Sequence, residues 1–338
     1  MSCDLAWELF LKNGTLETDK IVNRIDEINT PKCSELYIST KTKIGYLDTK
    51  IDLGIFWKIP ILEFNKQESG IIKKQMKFTF TSKKQIEEVD NLLKKETFYT
   101  IQHIAYKEQK NEFKDVKKIS IGLSNKDLTN SRKKRKGAFY NCFVLIMRLF
   151  YNDTFREIHI KIFNTGKLEI PGIKEEALLH KVINQLIEIL NKIIGKDIHY
   201  ITDSTTTVLV NSNFNCNYYI KREALLHILK TKYHLNSSYD PCSYPGIICK
   251  FYYDRNKDNQ TGREPSNKTK DILKISCMIF RTGSILIVGK CKDEELMIIY
   301  NYFKTLLEKE YLSIYQEHVA DTDIPIKKTM RKKYILIQ

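Results

Sequence analysis

The side chains that most often do chemistry are dispersed along this chain. Its seven histidines (positions 103, 159, 180, 199, 227, 234 and 318) make no pair at metal-ligand spacing. The eight cysteines stand singly, with no CxxC. No GxSxG, HExxH or Walker-type loop occurs. The pattern argues against a metal centre, a cofactor or an enzyme, and Glu175 and Glu176 suit the first turn of a helix, where acids meet the dipole. The informative spacing is aromatic. IFNTGKLEIPGIK (162–174) is echoed by IFRTGSILIVGK (279–290). Phe163 is matched by Phe280, Gly166 by Gly283 and Gly172 by Gly289, each 117 residues on. An aromatic just ahead of a turn that needs φ > 0, twice over, suits binding.

Two such copies need a frame that repeats. Each reads as strand, Thr-Gly turn and strand, followed by a helix from about Lys174 and about Lys292, which predicts a pseudo-symmetric domain. Upstream, LYISTKTKIG alternates Leu36, Ile38, Thr40, Thr42 and Ile44 with Tyr37, Ser39, Lys41 and Lys43. That predicts a half-buried strand whose second face is polar and basic, then a helix carrying Leu47, Ile51 and Ile55. TTVLVNSNFN and YPGIICKFYY read as strands on either side of a helix, REALLHILKTKY. The predicted organisation is a helical extension over 1–34, with Trp7, Leu9, Phe10 and Leu11 as its docking face. A first repeat over 35–195 follows, then a second over 196–312 and a basic tail over 313–338. Within the first repeat, 58–138 reads as an insertion holding strands near 77–80 and 119–121, a charged helix over 83–95 and the basic run SRKKRKG at 131–137. Within the second, the polar stretch 254–271 reads as disordered.

At 338 residues and 42% hydrophobic, the chain can bury a sizeable core. No apolar run is long enough to span a bilayer, and the first residues lack a basic leader, so an intracellular protein with reduced thiols and no membrane partner is expected. The formal charge of +15 fits a polyanion partner. It equally fits the Lys-, Asn-, Ile- and Tyr-rich bias of an A+T-rich coding genome.

The order strand, helix, strands, helix, twice over, resembles the TATA-box-binding protein (TBP) family. SSYDPCSYPGIICKF (237–251) is similar to that family's second stirrup, CMIFRTGSILIVGK (277–290) to its hairpin, and VLIMRL (144–149) to a first-repeat strand. The long insertion resembles the divergent forms found in large DNA viruses of eukaryotes. The resemblance implies an α+β saddle, with two pseudo-symmetric repeats sharing one curved antiparallel sheet and helices on its convex face. It also implies a non-enzymatic transcription initiation factor, without cofactors, in a host nucleus or viral factory. Such a factor binds and bends A·T-rich double-stranded DNA through the minor groove and recruits a transcription factor IIB-like protein and RNA polymerase. Aromatic wedges, for which this family is the standard example, unstack a base step and kink the duplex. The implied wedges are Phe163, Phe280 and Tyr244. Tyr244 precedes Lys250 by six residues, and the same count back from Arg148 gives Cys142, with Phe139 or Phe143 as substitutes. Arg148, Lys167 and Lys250 match phosphate-contacting positions, Asn211, Asn213, Lys41 and Tyr37 the first strands, and Asp240 and Cys242 the partner-docking stirrup.

Several positions depart from the family pattern. Ser284 stands where the second hairpin should carry Lys, and Pro171 and Val288 replace a pair of Thr. Tyr37 and Leu209 occupy the first-strand amide positions. Glu169 brings a carboxylate to the implied DNA face, where it must be protonated, paired with Lys161 or turned away. These departures favour an alternative, a TBP-like scaffold for other transcription subunits with weak or lost DNA binding. A repair glycosylase with a TBP-like subdomain fits less well, because no helix-hairpin-helix with a catalytic Lys and Asp is visible.

Overall fold

Period-2 strands and Thr-Gly turns assemble here into one sheet with its two long helices on one face. The computed structural model describes residues 30–109, 112–129, 139–267 and 269–317. The expected docking face near Trp7, the basic run 131–137 and the tail beyond 317 lie outside the described residues. The first half of the chain runs β1 (Tyr37–Leu47), a 3-10 helix (Leu53–Lys58), β2 (Gly70–Phe80), α1 (Lys83–Leu93), β3 (Tyr99–Gln109), β4 (Glu112–Gly122) and α2 (Asn125–Thr129). It continues with β5 (Cys142–Tyr151), β6 (Thr154–Phe163), β7 (Lys167–Pro171) and α3 (Glu176–Ile194). The second half runs β8 (Tyr200–Asn215), β9 (Tyr219–Ile220), α4 (Arg222–Thr231), β10 (Asn236–Ser238), β11 (Ile247–Asp254), β12 (Ile272–Ile279), β13 (Ser284–Gly289) and α5 (Asp293–Lys309). It closes with α6 (Tyr311–Ile314) and β14 (Tyr315–Gln316), which pairs with β9.

Twelve strands form one sheet in the order β10-β11-β12-β13-β8-β1-β7-β6-β5-β2-β4-β3. All its pairings are antiparallel, and β1 meets β8 at the centre. The repeat is visible in the backbone hydrogen bonds. Leu47 N–H donates to Gly166 O and Ile51 N–H to Asn164 O, while Cys216 N–H donates to Gly283 O and Ile220 N–H to Arg281 O. The turns therefore recur at an offset of 117, and the residues bonded to them at 169. Gly166 and Gly283 have φ of +82° and +76°, and a Cβ on either would lie 2.3 Å from a carbonyl oxygen, of Thr49 and Tyr218 respectively. Only glycine fits there.

Each repeat buries its own core between the sheet and its helices. Leu145, Ile160 and Leu168 meet the stripe Leu178, Val182, Leu186 and Leu190 of α3. In the second repeat Cys249, Ile275 and Ile287 meet Leu296, Ile299, Phe303 and Leu307 of α5. Two lysines tie the central strand to both helices. Lys43 pairs with Glu176 and Lys41 with Asp293, at 2.7 Å for the latter. These acids are themselves 117 residues apart and occupy equivalent first turns, where they also complement the helix dipoles.

The structure redraws several expected boundaries. Leu47 ends β1 and the helix after it is a short 3-10 turn, so no amphipathic α-helix spans Leu47 to Ile55. β2 pairs with β5 as β10 pairs with β11, so the strand starting at Gly70 occupies a repeat position; the added chain is α1, β3, β4 and α2. β8 begins at Tyr200, ahead of the expected strand TTVLVNSNFN. Of the stretch expected to be disordered, the segment around Gly262 folds back on β11, where Tyr252 N–H donates to Gly262 O. Among the described residues no helix is long and apolar enough to cross a membrane.

Candidate nucleic-acid interface

The face of the sheet opposite α3 and α5 is the candidate surface. Alternation decides which side chains reach it. With Ile158, Ile160 and Ile162 buried in the core, β6 turns Glu157, His159, Lys161 and Phe163 to this open face. In the same way β7 presents Lys167, Glu169 and Pro171, β8 presents Leu209, Asn211 and Asn213, and β13 presents Ser284, Leu286 and Val288.

An aromatic pair marks this face in each repeat. Phe280 lies 5.8 Å from Tyr244 between ring centroids, and Phe163 lies 6.4 Å from Phe139. Gly246 makes the second pair possible, since a Cβ there would stand 3.1 Å from the Phe280 ring and 3.2 Å from Tyr244. Of the two substitutes foreseen for Cys142, Phe143 is wholly buried in the core, while Phe139 is 59% exposed and stands beside Phe163. The register explains why counting misled. Cys142 lies directly opposite Phe163, and the residue one step beyond the Ile247–Ile279 pair, opposite Phe280, is Gly246. Cys142 therefore answers to Gly246, Ile146 to Lys250 and Arg148 to Tyr252.

The basic positions divide. Lys167 lies on the open face with its Nζ 5.2 Å from the centre of the Phe163 ring. Lys250 is there too, donating to Ser276 Oγ at 2.6 Å. Arg148 is not offered to a ligand. It is 8% exposed and its guanidinium donates to the carbonyls of Lys66 (2.6 Å) and Phe64 (2.9 Å). Lys41 is on the other side of the sheet, paired with Asp293. β-bulges between Ile38 and Thr40 and again between Thr42 and Lys43 shift the register of β1 against β8, so strict alternation from Tyr37 fails. Tyr37 itself is exposed, opposite Asn213, and its hydroxyl accepts from Lys174 Nζ at 3.1 Å.

Asn211 and Asn213 sit at the centre of this face. Each has a buried side-chain oxygen without a hydrogen-bond partner among the described residues. Glu169 is directly opposite Lys161 on the neighbouring strand and accepts from its Nζ at 2.5 Å, so of the three remedies foreseen for this carboxylate the structure uses pairing. In the second stirrup the Asp240 carboxylate accepts from Cys242 N–H at 3.0 Å and from Ser243 Oγ. Those bonds, Ser243 first, hold its carboxyl below the usual range. Cys242 is exposed beside it. Among the described residues no group of three or more His, Cys, Asp and Glu is placed to hold a metal ion.

Residues 208–309 match the model of the family described as transcription factor TFIID (or TATA-binding protein, TBP), a match that covers the second repeat. The second repeat is thus similar to that family, and the chain has an α+β fold of two such repeats. It is similar to a "TATA-box-binding protein-like" protein of Acanthamoeba polyphaga mimivirus, 29% identical over 202 residues. That likeness covers 55% of this chain, which spans about half (53%) of the relative's length. Among solved structures it is similar to Methanococcus jannaschii TBP, with a TM-score of 0.42 and 13% identity over 82% of this chain and 99% of that one.

Proposed function

We propose that this chain is a TBP-like transcription initiation factor that binds and bends A·T-rich duplex DNA through the minor groove with its open sheet face. The observation that carries this reading is the aromatic pair Tyr244–Phe280, held at 5.8 Å beside a glycine that leaves room for it. A wedge of that kind unstacks one base step and bends the duplex, so the bent DNA meets more of the protein. Beside this wedge, the apolar Leu286 and Val288 and the amides Asn211 and Asn213 form the uncharged centre that base edges require. The exposed stirrup around Asp240 and Cys242 is the docking place of a IIB-like factor, and RNA polymerase is recruited through it.

The test is a bending assay by energy transfer between the ends of a short A·T-rich duplex. Phe280→Ala and Tyr244→Ala should reduce the bend while leaving the salt dependence of affinity in place, because counterion release follows charge. Lys250→Ala should do the reverse, lowering the salt slope by about one unit. A second reading, a protein scaffold without DNA binding, is favoured by the enclosure of Arg148 under carbonyl oxygens. Absence of salt-dependent binding to any duplex would select it.

A further inference from the structure

The two outer halves of the open face are not alike, and the difference lies in α2. This five-residue helix of the added chain crosses the first repeat's half. Lys73, 5% exposed, holds both oxygens of Asp127 at 2.7 Å. Asn125 N–H meets the Glu157 carboxylate at 3.0 and 3.1 Å, and Lys126 Nζ lies 3.1 Å from His159 Nε2. Lys73 and His159 both face Ile146 across the sheet, and Ile146 is only 2% exposed although it points away from the core. In the second repeat the equivalent residues are Lys250, Lys274 and Ser276. Lys274 is exposed, and Lys250 and Ser276 are half-exposed. Where the second repeat offers two cations, the first thus has Ile146 and the acid Glu157.

We propose that duplex DNA is held by the second repeat and the central strands alone, because α2 closes the first repeat's outer half. This rests on the DNA reading above and makes the site asymmetric. The phosphate backbone, which dominates affinity, meets Lys250 and Lys274 on one side and a covered, acid-bearing surface on the other. The wedge at Phe280 then acts without its counterpart at Phe163.

The experiment compares the full chain with Lys73→Met/Asp127→Ala/Glu157→Ala, which removes both partners of the buried pair together and so leaves no unpaired charge. Amide exchange at Ser124 and Asn125, read without DNA, reports whether α2 is released; unchanged protection in the triple variant overturns the proposal. On an A·T-rich duplex the parent chain should give a hydroxyl-radical footprint over one half-site. Phe163→Ala should leave its bend unchanged, and Lys250→Ala with Lys274→Ala should lower the salt slope by about two units. In the released variant the footprint should lengthen and Phe163→Ala should reduce the bend. A parent footprint over both half-sites, or equal losses of bend from Phe163→Ala and Phe280→Ala in the parent, overturns the asymmetry while leaving DNA binding intact. A footprint that does not lengthen after release does the same. No binding by either form at low salt removes the DNA reading itself, and the asymmetry with it.

Discussion

Glu169 offers the sharpest test of the open face. Its carboxylate neutralises Lys161 across the β6–β7 pair, with side chains 24% and 28% exposed. Glu169→Gln keeps the shape and removes the charge, releasing one ammonium group beside β7, which pairs with the central strand β1 and so lies within the part of the face proposed to hold DNA. An ion pair this close to solvent contributes at most about 1 kcal/mol, so the fold should survive and thermal unfolding should move little. Binding should change more. One extra cation engaged by DNA steepens the dependence of log K on log salt by about 0.9, which over the range from about 50 to about 200 mM amounts to a further loss of about 3.5-fold. Low-salt affinity for A·T-rich duplex should therefore rise, and the gain should shrink as salt is added. Fluorescence anisotropy across four salt concentrations, on A·T-rich and G·C-rich duplexes, measures both quantities. Adding Lys161→Met to the variant should return the slope to that of the parent. An unchanged slope, or weaker low-salt binding with an intact fold, would refute the placement of this pair at the DNA surface.

Gly283→Ala and Gly166→Ala should each destabilise their repeat by at least about 1–2 kcal/mol, from the left-handed backbone alone, with the added contact to a carbonyl oxygen raising that figure; denaturant unfolding checks it, and a neutral outcome at either turn would deny its geometry. Asp240→Ala should loosen the second stirrup by removing the acceptor of Cys242 N–H and Ser243 Oγ, reducing both the bend and capture of a IIB-like factor; a full bend in this variant would show that Tyr244 is placed by other contacts. Burial would raise the Asp127 carboxyl, but bonds from Lys73 and Ser124 outweigh it and hold the group below its ordinary value. The native state then binds fewer protons than the unfolded one in acid, so the contribution is complete above about pH 3.9 and is lost as pH falls further. Protection factors at Ser124 and Asn125 should be flat from neutrality to about pH 5 and drop only below about pH 4; a drop near pH 6 would contradict this.

Much of the architecture follows from the chain's local pattern. The 117-residue echo of Phe163 and Gly166 specifies two hairpins, because a Thr-Gly turn with a glycine in the left-handed region is a local requirement that any context must meet. The apolar stripe Leu178, Val182, Leu186, Ile189 and Ile193 specifies the helix that packs behind the first hairpin. The likeness of 237–251 to a stirrup and the aromatic residues Phe280 and Tyr244 are likewise readable without neighbours. Which face a side chain occupies is another matter. Period 2 fixes faces only until a bulge intervenes, and the bulges in β1 arise from its pairing with β8, more than 150 residues on. Lys41 thereby moves from the expected DNA surface to a clamp on Asp293. Arg148 was legible as basic and strand-borne, but its enclosure depends on where the carbonyls of Phe64 and Lys66 arrive. Cys142 and Gly246 were matched only by the register of β5 against β6 and β11 against β12. The settling of α2 against Lys73, Glu157 and His159 could not be foreseen either, since a five-residue helix with Leu128 as its one apolar side chain carries no mark of the surface on which it will settle. Local sequence sets torsions and periodicity, whereas faces, enclosure and pairing come from segments distant in the chain, and those only the tertiary fold brings together.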